Sequence, residues 1–227
     1  MKHPKLIDAV FFDMDGVLVD SMKYHVEAWV KAFNENGFYP KELPFYLNEG
    51  VRHDITVKDR LAELGVENAS DELIEKIYSR KREIYEKIAV LKPLNGIEAI
   101  LDRLKGKVIM AVVTGGVPPV VKKTLSLFEC RFDFVVDYES TKKGKPDPEP
   151  YLFAAAKAGV PRDRILVIEN SPTGIASAVG AGLACWAVCT TLPAEYLKRA
   201  DRVFDDFRQL ECALFDESVI LLGNAIT

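Results

Sequence analysis

No apolar run in this chain approaches the roughly 20 residues that a membrane span needs. The runs at residues 9–12 and 219–222 are far too short, and Asp13 interrupts the first. The same brevity excludes a secretory signal as the reading of the N-terminal stretch. None of the four cysteines (Cys130, Cys185, Cys189 and Cys212) forms a Cys-x-x-Cys pair. A chain of 227 residues can build a core without disulfide staples, so reduced thiols and a cytoplasmic location are expected. The three histidines, His3, His25 and His53, are scattered away from those cysteines, which argues against a zinc site. An excess of positive charge is also missing. The net charge of -4 argues against nucleic acid as a partner. The expectation is a monomer with no membrane and no nucleic-acid partner.

Apolar residues are plentiful. At 48% of the chain they suffice for a sizeable core, and the length suits one large domain or one domain with an insert. Short continuous apolar runs at 6–12, 108–113, 134–136, 165–168 and 184–188 end at polar residues. Continuous rather than alternating runs suit strands buried on both faces of a parallel sheet. Helical patterns lie between them. Ile97, Ile100, Leu101 and Leu104 share one face, as do Val120, Val121, Leu125 and Phe128. This alternation predicts an α/β, Rossmann-like, doubly wound parallel sheet.

Residues 21–89 break the alternation: they are charged and helix-like, with no convincing strand. Ser21 can N-cap a helix over 22–36 that Gly37 ends. A second amphipathic helix is predicted over 71–88, with Leu73, Ile77, Ile84 and Ile88 as its apolar positions. The expected organisation is an α/β core from 1–20 and 90–227, with a helical insert at 21–89.

Ligands of open parallel sheets sit beyond the carboxyl ends of the strands. There the sequence places Asp13 and Asp15, then Thr114-Gly115-Gly116, then Lys145 in the loop 141–150, then Glu169-Asn170-Ser171. Asp13 and Asp15 are two apart, so in extended backbone they project to one side. A carboxylate at Asp13 can attack phosphorus, and Asp15 can move a proton to a leaving oxygen and from water. Two carboxylates facing a phosphate need a cation, and Mg²⁺ suits oxygen ligands.

The run Phe11-Phe12-Asp13-Met14-Asp15-Gly16-Val17-Leu18-Val19-Asp20-Ser21 closely resembles the first motif of the haloacid dehalogenase superfamily, in its phosphatase and phosphomutase branch. Thr114, Lys145 within Gly144-Lys145-Pro146-Asp147-Pro148, and Glu169-Asn170 with Gly174 match the other three motifs in order. The resemblance implies a helical cap inserted after the first motif. It also implies Mg²⁺ held by the Asp13 carboxylate, the Asp15 backbone carbonyl and the side chain at 170, with Glu169 acting nearby. Thr114 and Gly115 would take phosphate oxygens, and Lys145 would neutralise the nucleophile and the transferring group. Many relatives carry Glu-Asp at 169–170. The amide Asn170 brings no charge, which predicts weaker metal binding.

Tyr24-His25-x-x-Ala28-Trp29 resembles the start of the cap in beta-phosphoglucomutase-like members, which would place His25 near the active site. Trp29 is expected in the core. Sugar-phosphate mutases of that subgroup carry a basic residue before a cap glycine and an arginine shortly after it. Here Glu49 precedes Gly50, and Arg52 or His53 fills the second place. An acidic residue there resembles the inorganic pyrophosphatase variant and could add the charge that Asn170 lacks. The leading expectation is a Mg²⁺-dependent hydrolase of a small phosphorylated metabolite or pyrophosphate, working through an aspartyl-phosphate. The alternative is a beta-phosphoglucomutase.

Overall fold

The computed structural model describes residues 6–129, 131–215 and 221–222. His3, Cys130 and residues 219–220 lie outside them. Among the described residues the strands are β1 (Leu6–Ile7), β2 (Ala9–Phe12), β3 (Ile109–Val113), β4 (Phe134–Val136), β5 (Ile165–Glu169), β6 (Ala184–Val188), β7 (Arg202–Phe204) and β8 (Leu221–Leu222). Six of them form one parallel sheet in the order β4-β3-β2-β5-β6-β7. The single strand expected over 6–12 is divided at Asp8. Its first two residues pair instead with β8. β7 escaped the sequence reading because it is three residues long and opens on a charged residue.

The insert carries four helices and no strand: α1 (Met22–Asn34), α2 (Leu43–Leu47), α3 (His53–Glu63) and α4 (Asp71–Ile88). They share a buried cluster of their own, built around Trp29, Phe33, Phe45, Leu61 and Ile77. Trp29 stacks on Phe45 with ring centroids 5.9 Å apart, as a core residue would. α1 stops short of the predicted residue 36, and Gly37 follows with φ +84°. α4 has the predicted bounds. Ser70 caps it by accepting a hydrogen bond from the Leu73 N–H at 3.2 Å, and Asp71 and Glu72 complement the helix dipole. Its buried face is turned slightly from the predicted one, to Ile74, Ile77, Lys81, Ile84 and Tyr85. A lysine therefore sits inside the apolar stripe.

Helices α5 (Ile97–Leu104), α6 (Pro118–Leu125) and α9 (Phe207–Phe215) cover one face of the sheet, and α7 (Glu149–Ala158) and α8 (Pro172–Gly180) cover the other. Strand periodicity of two explains how continuous apolar runs serve both faces. In β2, Val10 and Phe12 face the first layer, and Ala9 and Phe11 the second. In β5, Leu166 and Ile168 divide from Ile165 and Val167 in the same way. Each fully buried Leu, Ile or Phe contributes roughly 1.5–3 kcal/mol. β2 lies at the switch point, with β3 on one side and β5 on the other. This opens the crevice at the end that carries Asp13.

Candidate active site

Register builds the floor of the site. Phe12 is paired with Ile168, so the next residues, Asp13 and Glu169, leave adjacent strand ends side by side. Both are buried, and two neighbouring carboxylates repel. Lys145 lies between them: its Nζ donates to Asp13 Oδ1 at 2.5 Å and to Glu169 Oε1 at 2.7 Å. Burial works against the Lys145 ammonium, yet Asp13 and Glu169 outweigh it and hold its pKa above the usual value. The Tyr151 hydroxyl donates to Glu169 Oε1 at 2.8 Å. Glu169 Oε2 accepts from the Asn170 N–H at 3.1 Å and the Ser171 hydroxyl at 3.2 Å. Both Glu169 oxygens are thus engaged. Glu169 was expected among the metal-binding residues, but its oxygens hold Lys145 and the following turn. Burial, with Glu169 and Asp15 nearby, raises the Asp13 pKa to about 7 despite Lys145.

The second carboxylate faces the insert. The chain leaves the strand after Phe12, and the Leu18 and Val19 N–H groups fold back onto the Met14 carbonyl. Asp13 and Asp15 both border one cavity, and each has separate partners. Asp15 Oδ1 accepts from the Ser21 hydroxyl at 2.5 Å and lies 3.2 Å from His25 Nε2. Ser21 precedes α1 as expected but makes no side-chain cap, because its hydroxyl is given to Asp15. Behind His25, Lys81 Nζ is 2.8 Å from His25 Nδ1. An ammonium only donates, so Nδ1 accepts and Nε2 carries the proton toward Asp15. Burial and the Lys81 charge push the His25 pKa down, favouring this neutral tautomer. Burial alone would raise the Asp15 pKa, but His25, Ser21 and Lys81 outweigh it and hold it low.

Asn170 and Glu49 meet directly. Asn170 Nδ2 donates to Glu49 Oε2 at 2.8 Å and to Thr191 Oγ1 at 3.1 Å. The Thr173 hydroxyl donates to the Glu49 carbonyl. Gly16 makes room: its φ is +84°, and a Cβ there would fall 2.2 Å from Asn170 Nδ2. The buried oxygens without a hydrogen-bond partner include three of this cluster, Asp13 Oδ2, Glu49 Oε1 and Asn170 Oδ1. Partnerless buried oxygens are costly, and a hard cation takes this kind of donor. Among the described residues no group of three His, Cys, Asp or Glu side chains forms a metal cage. The donor set is two carboxylates and an amide, so it fits Mg²⁺ with waters and substrate completing the shell. Burial, with Asp13, Asp15 and Glu169 close by, pushes the Glu49 pKa well up, which expresses the same shortage of positive charge.

Thr114 is buried at the end of β3, and its Oγ1 accepts from the Gly116 N–H at 3.1 Å, which fixes the loop. Thr114, Gly115, Asp13, Asp15, His25, Glu49 and Lys81 all border a cavity of about 130 Å³ between core and insert. His53 borders it too, and Arg52 does not. Arg52, expected at the substrate, borders a smaller adjoining space with Thr114, Gly115 and Lys145, and its guanidinium lies on the Tyr138 ring. Lys81 and Tyr151 escaped the sequence reading. The available signal for Lys81 was a cation at helical spacing from Ile77 and Tyr85 inside an apolar stripe. Tyr151 carried none. No helix among the described residues is long and apolar enough to cross a membrane.

Comparison with known proteins gives the lineage. The family described as hydrolase, haloacid dehalogenase-like hydrolase, matches residues 7–182. A candidate pyrophosphatase of Caldanaerobacter subterraneus is 32% identical over 90% of this chain and 93% of its own. Hexitol phosphatase A of Escherichia coli is 28% identical over 88% and 91%. Among solved structures, a candidate beta-phosphoglucomutase from Bacteroides vulgatus superposes with a TM-score of 0.85 at 31% identity, covering 94% of this chain and 90% of that one.

Proposed function

The chain belongs to the haloacid dehalogenase-like hydrolase family of phosphoryl-transfer enzymes, and we propose that it is a Mg²⁺-dependent phosphohydrolase of a small phosphorylated metabolite or pyrophosphate. The observation that carries this reading is the Asp13 carboxylate, gripped on one oxygen by Lys145, bare on the other, and placed beside Asp15 at one cavity. In the first half-reaction an Asp13 oxygen attacks phosphorus, the bond to the leaving oxygen breaks, and Asp15 gives that oxygen a proton. A phosphate dianion beside Asp15 raises its pKa, which loads it for this role. In the second half, Asp15 takes a proton from water as the water oxygen attacks the aspartyl-phosphate and Asp13 leaves. Ser21 and His25 hold Asp15 in place, while Lys145 and the Thr114–Gly115 loop receive negative charge on the transferring group. Bound Mg²⁺, held by Asp13, Asn170, Glu49 and the Asp15 carbonyl, would supply the positive charge that this cluster of acids lacks.

The cavity is small beside the roughly 300–1,000 Å³ of sites for drug-sized ligands, which supports a compact substrate. Glu49 beside Asn170, with one oxygen unpartnered, favours pyrophosphate, because a cation held there would supply positive charge for a second phosphate. Lys81 and Arg82 on the cavity wall could instead grip the second phosphate of a bisphosphate, and this observation favours the beta-phosphoglucomutase reading. A panel of pyrophosphate, sugar phosphates, nucleotides and beta-glucose 1-phosphate with MgCl₂ separates them. Phosphate release that is absent in Asp13→Asn supports the hydrolase. Glucose 6-phosphate formed without net phosphate release supports the mutase.

A further inference from the structure

Arg52 lies outside the main cavity, in a smaller one beside Thr114, Gly115 and Lys145, and it packs on a core ring. Its guanidinium lies 3.8 Å from the centre of the Tyr138 ring. Its Nη1 points at the Tyr138 and Thr141 carbonyls, each 3.5 Å away. The next residue, His53, stacks on Tyr78 of α4 at 3.7 Å and 7°, and its other contact is the same Tyr138, at 5.2 Å and 28°. Tyr138 follows β4 in the loop that leads to Lys145, so one core ring is held by two consecutive residues of the insert.

The turn preceding Arg52 sits on a seam of glycines. A Cβ on Gly144 would lie 2.9 Å from Arg52 Cγ, and one on Gly50 would lie 2.8 Å from Lys145 Cδ. A Cβ on Gly115 would lie 3.0 Å from the Gly50 carbonyl. Only missing side chains let the turn come so close to both the phosphate-binding loop and Lys145. Glu49 stands at the head of this turn and reaches Asn170.

We propose that Tyr138 is a positioning residue: clasped by Arg52 and His53, it seats the turn that delivers Glu49 to the metal donors. The inference rests on the phosphohydrolase reading for its link to turnover, but not for its link to metal. Tyr138 does not line the main cavity itself, but it stacks on His53, its N–H donates to the Gly116 carbonyl at 3.0 Å, and it borders a smaller cavity with Thr114, Gly115 and Lys145. The cycle with Glu49 isolates the part of its effect that passes through the turn.

The test is a double-mutant cycle between Tyr138 and Glu49, read by calorimetric titration with MgCl₂ alone and by turnover of pyrophosphate. Tyr138→Ala should weaken Mg²⁺ binding about fivefold, the equivalent of ~1 kcal/mol for a lost cation–π contact. Tyr138→Phe keeps the ring and should restore wild-type binding. In a Glu49→Ala background, Tyr138→Ala should have no further effect. Gly144→Ala, which pushes on Arg52 from the other side, should reproduce the loss if Tyr138→Ala proves too unstable to assay. Unchanged Mg²⁺ affinity in Tyr138→Ala or Gly144→Ala, or an equal loss with and without Glu49, would overturn the proposal. Failure of the phosphohydrolase reading would be seen separately, as activity persisting in Asp13→Asn with the Mg²⁺ effects intact.

Discussion

Two buried lysines serve the site, Lys81 on the cavity wall and Lys145 on the Asp13 carboxylate, and their environments are nearly opposite. Lys145, in the core, is paired with Asp13 and Glu169, and those charges hold its pKa up. Lys81, in the insert, makes no carboxylate ion pair among the described residues. It has His25 Nδ1 at 2.8 Å and the rings of Trp29 and Tyr85 at 5.1 and 4.9 Å. Burial brings its pKa down to about 8 even with Asp15 pulling the other way. The core thus keeps its positive charge neutralised and fixed before substrate arrives. The insert's lysine holds no ion pair among the described residues, and Asp15 is the carboxylate whose charge still reaches it. A site with both features can bind a phosphate group without rebuilding its floor.

That contrast breaks first at Lys145. Lys145→Met leaves two buried carboxylates facing each other, a loss of ~3–5 kcal/mol. In EDTA the melting temperature should fall by about 10 °C, and kcat should drop roughly 10³-fold. A variant as stable as wild type would show that the pair is solvated. Glu49→Ala comes next. Turnover of pyrophosphate should fall about 100-fold and that of a monoester about 10-fold, with weaker Mg²⁺ dependence in both; equal losses would remove Glu49 from substrate choice. The smallest effect belongs to Lys81→Met, which frees His25 to change tautomer and should lower kcat about 10-fold. Because it replaces a buried unpaired charge with an apolar chain, the melting temperature should stay level or rise. A fall like that of Lys145→Met would erase the distinction between the two lysines.

The legible part of this protein was the part fixed by local pattern. Apolar runs ending in polar residues located β2, β3, β4, β5 and β6, and with them Asp13, Thr114 and Asn170 at strand ends. Amphipathic spacing placed α4 at its true bounds. Contacts that depend on packing between distant segments were harder to read. Whether Arg52 or His53 reaches the cavity is decided by how one turn lies on Gly144, some 90 residues away along the chain. Which oxygens of Glu169 remain available is decided by Lys145, Tyr151 and Ser171. The split of the first strand at Asp8 depends on pairing with the far C-terminal segment. Lys81 was hidden because a lysine on a charged helix reads as a solvated face until the partner helix α1 is packed against it.

The central claim is that Asp13 carries the phosphoryl group. Acid quenching of the enzyme during turnover of its best substrate in the panel, followed by peptide mapping by mass spectrometry, addresses it directly. The account predicts a phosphoryl group on the peptide containing Asp13, and none in Asp13→Asn. Turnover at the wild-type rate by Asp13→Asn, or a phosphoryl group trapped on another residue, would contradict it.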